Sequence, residues 1–152
     1  MLLQFVKFTT RFDSEWNNPL PIVDVLIIPG GVVSAELDSP IVLEWIAATA
    51  LQTEITASVC TGAFLLAKAG LLDTKSATTH WEDIDDLKTM FPAVTVRSGV
   101  RWIDEGRVVT SAGISAGIDM SLHLVDIFQR IRSHRRCGER ATNNAAINLA
   151  SC

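Results

Sequence analysis

Residues Glu54–Leu72 read as a buried strand that runs without a linker into a helix, with Cys60 at the corner and Thr61-Gly62 making the turn. No other stretch constrains the fold as strongly. A strand that stops at a nucleophile-type side chain and restarts as a helix has the local pattern of a nucleophile elbow. Such an elbow needs neighbouring strands, and it lifts its corner side chain to the carboxyl edge of the sheet they form. N–H groups at the start of the helix favour negative charge there. A cysteine at that corner is therefore predicted to react as its thiolate.

The flanking segments supply the sheet. Ile22–Ile28 is an almost continuous aliphatic run of strand length, the pattern of a parallel strand covered on both faces. It ends in Pro29-Gly30-Gly31, a turn that permits close backbone approach. Ser39-Pro40 predicts an N-cap followed by proline at the first helical position. Ile41, Trp45 and Ala48, with Val42, Ile46 and Thr49 beside them, then form one broad apolar face of a crossover helix. The helix after Cys60 carries Phe64, Leu65, Ala67, Leu71 and Leu72 and stops near Asp73-Thr74.

Further on, Lys75–His80 reads as a short strand, and Trp81–Phe91 as a helix with an acidic start, closed by Pro92. Val94–Val96 is another strand. Arg101–Asp104 and Arg107–Thr110 flank Glu105-Gly106 as a hairpin. Ser111-Ala112-Gly113 then leads into a helix over Ser115–Ile131, with Ile118, Leu122, Val125 and Phe128 at helical intervals. Before Ile22 the pattern is weak, with a strand within Leu2–Thr10. This alternation predicts an α/β fold, a parallel sheet sandwiched by helices. Ligands bind such sheets outside the carboxyl ends of the strands. Pro29-Gly30-Gly31, Cys60-Thr61-Gly62 and Ser111-Ala112-Gly113 all converge there.

Length and composition bound the rest. At 152 residues, 48% hydrophobic and 20% charged, the chain suits one globular domain. That domain is expected over 1–131, with a weakly ordered tail over 132–152. A net charge of −4 argues against a nucleic-acid footprint, and no apolar run approaches the roughly 20 residues that span a bilayer. Met1–Phe8 lacks the basic start and continuous apolar core of a signal peptide. Cys60, Cys137 and Cys152 are a sparse, odd set without metal-type spacing, which points to a reducing cytoplasmic setting and no metal. The basic run Arg130–Arg136 reads as a solvated face.

Each candidate has a plainer alternative. Cysteines are often merely buried, so Cys60 rests on its elbow context. Thr61 either caps the helix or offers its N–H and hydroxyl to a reacting group. Gly30-Gly31 is either a tight turn or, opposite Cys60, the source of a second anion-stabilising N–H from Gly31. His80, at the end of its strand, is either structural or a general base. Gly113 and Ile114 complete the candidate substrate-binding set.

Several segments together resemble the ThiJ/PfpI superfamily: Val25–Gly31, Ser58-Val-Cys-Thr-Gly-Ala63, Ala69–Leu72, Ala77-Thr-Thr-His-Trp81 and Ser111–Asp119. Ser-Val-Cys-Thr-Gly, Thr-Thr-His-Trp and Ala-Gly-Ile-Asp are most similar to its isonitrile hydratase branch and to domains fused to AraC-type regulators. The resemblance implies a flavodoxin-like sheet, a homodimer, a small-molecule substrate and no cofactor. Cys60 matches the family's nucleophile, and Thr61 the threonine beside it. Gly31 and the Thr61 amide match its anion-stabilising donors, and His80 a nearby histidine. In the hydratase branch the thiolate attacks the isonitrile carbon, and water converts the resulting thioimidate to a formamide.

Two departures stand out. The family also draws an acidic residue from a first strand–helix unit, which the residues before Ile22 do not supply; Asp13 and Glu15 fall elsewhere in the pattern. The inner strand missing with that unit is expected to leave a sheet edge open. The Arg-rich tail likewise departs from the family's continuation. Three readings follow: an isonitrile hydratase-like enzyme, a regulatory or redox-sensing domain that keeps the cysteine, and glyoxalase or deglycase chemistry.

Overall fold

The aliphatic run becomes strand β2 (Val25–Ile28), buried at all four positions, in a computed structural model that describes residues 3–5 and 23–130. Parallel pairing joins β2 to β1 (Leu3–Phe5) on one side and to β3 (Ile55–Val59) on the other. Strand β3 pairs in parallel with β7 (Val108–Ser111), and with β6 (Trp102–Asp104) beyond it the five-stranded sheet has the order β1-β2-β3-β7-β6. β2 is therefore paired by β1 on the side where an open edge was expected. The hairpin read around Glu105-Gly106 is present as β6 antiparallel to β7, so the sheet is mixed rather than wholly parallel. Gly106 takes φ +82° at that turn, a conformation open to glycine at little steric cost.

Register decides where the loops meet. Ile28 stands opposite Ser58, and Val59 opposite Ser111. The three strands end nearly level, and the glycine-bearing loops after β2 and β7 open beside Cys60.

Helix α2 (Pro40–Gln52) follows the short helix α1 (Ser34–Leu37) and starts as read, with Ser39 at its N-cap and proline in its first turn. Its buried face is Val42, Ile46, Thr49 and Ala50; Ile41 and Ala48 face outward, contrary to expectation. The i, i+4 row 42/46/50 meets the core, and the row beginning at Ile41 is turned about 100° away. Helix α3 (Gly62–Lys68) is buried from Gly62 to Ala67. Leu65 and Leu66 lose all solvent contact, a burial worth roughly 1.5–3 kcal/mol each. They join Leu26, Ile28 and Ile46 in the core.

Two expectations fail around His80. The predicted strand Lys75–His80 shortens to β4 (Ser76–Ala77), which pairs in parallel with β5 (Thr95–Val96) as a separate two-stranded sheet. The predicted helix Trp81–Phe91 begins as a 3₁₀ turn (Trp81–Asp83) and becomes α4 only over Ile84–Met90. Trp81 is exposed.

The chain divides into two compact units, 1–118 and 119–152. Backbone is helical over 115–130, where Ala116, Met120, Leu124 and Phe128 are buried while Ile118, Leu122 and Val125 are exposed. The sequence offers apolar residues on both faces of this helix, and of the four positions that periodicity singled out only Phe128 is buried. The tail 132–152, Cys137 and Cys152, Asp13 and Glu15 lie outside the described residues.

Arg107 closes the far end of the sheet. Its Nη2 donates to the carbonyls of Thr53 (2.7 Å), Ala50 and Leu51 (both 3.3 Å), satisfying the C-terminal carbonyls that α2 leaves unpaired. Arg107→Met keeps the aliphatic stem and removes these donors. It is expected to cost about 1–2 kcal/mol, a charged hydrogen bond reduced by partial exposure. A urea titration checks this, with Arg107→Lys falling between the two.

Candidate active site

Val59 is the last residue of β3, and Cys60 follows at φ +57°, outside the range that non-glycine residues ordinarily occupy. Holding such a conformation costs of order 1–3 kcal/mol, so the surroundings must impose it. Three hydrogen bonds do. The Cys60 N–H donates to Ser111 O at 3.0 Å, extending the β3–β7 ladder by one residue. The Cys60 carbonyl accepts from the Ala63 N–H at 3.3 Å and from the Thr79 hydroxyl at 2.9 Å. The free thiol is left partly exposed at the sheet edge.

Thr61 stands at the N-cap of α3, but its side chain makes no cap bond, so the simple capping role is not what the structure contains. Its hydroxyl instead accepts the Gly31 N–H at 2.9 Å and donates to the Gly31 carbonyl at 2.8 Å. This clasp ties the loop after β2 to the elbow. Gly30 lies so close that a Cβ on it would stand 2.6 Å from Cys60 Cβ. The clasp also engages the Gly31 N–H, one of the two expected anion donors. The other, the Thr61 N–H, has no hydrogen-bond partner among the described residues.

His80 does not end a strand of the main sheet; it reaches the site through a loop. Thr78 N–H donates to Thr110 Oγ1 at 3.0 Å, and the Thr79 hydroxyl holds the Cys60 carbonyl, pinning residues 78–80 against β7 and the elbow. The imidazole then faces Gly113. A Cβ on Gly113 would lie 2.7 Å from His80 Cδ2, 3.6 Å from His80 Nε2 and 3.5 Å from Cys60 Sγ. Glycine here leaves open a small space that sulfur and imidazole both border. On its other edge the ring's Nδ1 lies 3.3 Å from Asp83 Oδ2 and 3.8 Å from Glu82 Oε2.

Ile114, the last of the sequence candidates, takes φ +54° and is 86% exposed. The left-handed region costs an L-residue roughly 1–2 kcal/mol, and asparagine tolerates it far better than a β-branched side chain. Because little burial is lost, Ile114→Asn is expected to raise stability by about 1 kcal/mol, seen as a higher urea midpoint.

Cys60, Thr61, Gly30, Gly31, His80 and Gly113 are thus brought together at one edge, with Ile114 exposed beside Gly113. A groove of about 380 Å³ runs alongside and shares Thr79 and Ala112 with the walls of this edge. Sequence reading missed Thr79 and Asp83. Nothing in the sequence distinguishes Thr79 from Thr78, but an acid three residues after His80 is a signal that was available. Among the described residues no group of three His, Cys, Asp or Glu side chains could hold a metal ion, and no helix is long and apolar enough to cross a membrane.

A mixed α/β sheet whose central strand turns through a strained cysteine into a helix defines a class of cysteine-elbow domain. The chain belongs to the DJ-1/PfpI family, which it matches over residues 11–127, in agreement with the resemblance carried by its motifs. It is 39% identical over 120 residues to isonitrile hydratase of Pseudomonas putida, covering 78% of this chain and 49% of that protein. It is 37% identical over 105 residues to the HTH-type transcriptional regulator GbdR of Pseudomonas aeruginosa, covering 69% of this chain and 28% of the regulator. The crystal structure of a ThiJ/PfpI family protein from Pseudomonas syringae superposes with a TM-score of 0.61 at 32% identity, covering 69% of this chain and 43% of that one. The chain therefore spans about half the length of the hydratase and just over a quarter of the regulator.

Proposed function

We propose that this domain adds water to an isonitrile, R–N≡C, to give the formamide R–NH–CHO, with Cys60 as covalent nucleophile. The observation that carries this reading is the shared space at Gly113. Sulfur and imidazole converge on it, while the unpartnered Thr61 N–H lies beside Gly30 at the same elbow.

The steps balance without an oxidant or reductant. The thiol proton passes to His80 Nε2, and Sγ forms a bond to the terminal isonitrile carbon. That carbon takes the proton back from the imidazolium, giving the thioimidate R–N=CH–S–Cys60. Water then adds across the C=N bond, its proton reaching nitrogen by way of His80. The C–S bond breaks as the carbonyl forms, and the thiol is restored. The Thr61 N–H, which has no partner among the described residues, is the donor available to the negative charge that develops. Exposed Trp81 and Ile114 and the neighbouring groove offer apolar surface and space for the R group.

The second reading, a ligand- or oxidation-sensing module, is favoured by the 37% identity to a transcriptional regulator. Incubation with a simple alkyl isonitrile separates the two, with the formyl proton followed by NMR. Formamide formed catalytically supports the enzyme. No formamide, with mild peroxide adding mass at Cys60 alone, supports the sensor and overturns the first reading.

A further inference from the structure

His80-Trp81-Glu82-Asp83 is a closed unit. The Asp83 N–H donates to the His80 carbonyl at 3.0 Å, and the 3₁₀ turn between them brings residues i and i+3 to the same side. The Asp83 carboxylate therefore returns to the imidazole, 3.3 Å from Nδ1. A second observation shows that this is not an ordinary helix cap. Asp83 is the N-cap residue of α4, a position where aspartate normally accepts an N–H of the first turn, a bond worth about 1 kcal/mol. Here its side chain makes no cap bond. The carboxylate is turned to the histidine, whose opposite edge borders the space at Gly113 and Cys60.

We propose that Asp83 is a positioning residue that fixes His80 as the Nδ1–H tautomer, leaving the lone pair on Nε2, at the edge of the ring that borders the space at Gly113. An ionised carboxylate only accepts hydrogen bonds, so its approach favours the tautomer with the proton on the ring nitrogen beside it. The lone pair is thereby assigned to Nε2, the atom that takes the thiol proton in the reaction above. Glu82 is farther, at 3.8 Å, and 62% exposed, so its charge is spent largely in water. The catalytic consequence rests on the proposed hydratase reading; the tautomer does not.

Long-range ¹H–¹⁵N spectra of the ¹⁵N-labelled protein, recorded where imidazole is neutral, read the tautomer directly. The wild-type chain is expected to show a protonated Nδ1 and a bare Nε2 for His80, and Glu82→Ala the same. Asp83→Ala is expected to move the pattern toward Nε2–H and to slow carbamidomethylation of Cys60 by iodoacetamide about tenfold. If the hydratase reading holds, kcat falls roughly 10- to 100-fold with KM little changed, the usual scale for losing a group that orients another. Wild-type His80 protonated on Nε2, or an Asp83→Ala spectrum identical to wild type, overturns the proposal. Absence of formamide from the wild-type chain counts against the hydratase reading alone, and the spectra still decide the role of Asp83.

Discussion

Cys60→Ser is expected to lower formamide production by at least about 10³-fold, because the covalent step loses its nucleophile while the site around it survives. A serine hydroxyl occupies nearly the same place as the thiol. The backbone bonds that impose φ +57° come from Ser111, Ala63 and Thr79, and none involves sulfur. Stability is therefore expected to change by less than about 0.5 kcal/mol. An alcohol is a far weaker nucleophile than a thiol unless a strong general base activates it, and the residual rate is that of a bound, oriented substrate meeting water. Intact mass after rapid quenching supplies the second measurement. Wild type should carry the added mass of one isonitrile, and the variant none. A variant that still turns over at a tenth of the wild-type rate would show that sulfur forms no bond to substrate.

Gly62→Ala is expected to destabilise the domain by about 2–3 kcal/mol and to abolish activity with it, against the usual trend for helices. Alanine in place of a helical glycine normally gains up to about 1 kcal/mol through propensity. Gly62, however, is buried at the first position of α3, directly against the end of β2. A Cβ there would collide with the Ile28 carbonyl oxygen and stand 2.8 Å from that of Pro29. Both obstacles are backbone atoms of a paired strand and the turn it enters, which cannot swing aside as a side chain would. Relief requires moving α3 away from β2, and that displaces the elbow from the loop it clasps through Thr61 and Gly31. The overpacking cost exceeds the propensity gain, so the sign is negative. Chemical denaturation measures the loss, and an unchanged or higher midpoint would contradict the close packing of α3 against β2.

What was legible in the sequence was mostly local. The continuous aliphatic run at β2, the Ser39-Pro40 helix start and the hairpin at Glu105-Gly106 each depend on a few adjacent residues, and all appear in the fold. The same holds for the corner at Cys60, where a β-type run meets a helix-type run. Less legible was anything that depended on which of two apolar faces is covered. In α2 the reading included Ile41 and Ala48, which face outward, and in the helix over 115–130 it chose Ile118, Leu122 and Val125, which are exposed, beside Phe128, which is buried. Periodicity records how apolar residues are spaced; where they occur on both faces, it does not say which face finds a neighbour.

By itself the sequence determined that a cysteine stands at a strand-to-helix corner, with glycine-bearing turns at the same edge of an α/β sheet. Turn geometry and strand burial are short-range and leave a direct mark on residue type. Tertiary structure alone decided what surrounds that cysteine. It detached β4 from the main sheet and carried His80 in on a loop held by Thr78 and Thr79. It gave the Thr61 hydroxyl to Gly31, 30 residues away, instead of to its own helix. It also set His80 and Cys60 on either side of the space at Gly113. These contacts join distant segments, and their geometry depends on strand register and on how far each strand runs, neither of which is written in any one stretch of sequence.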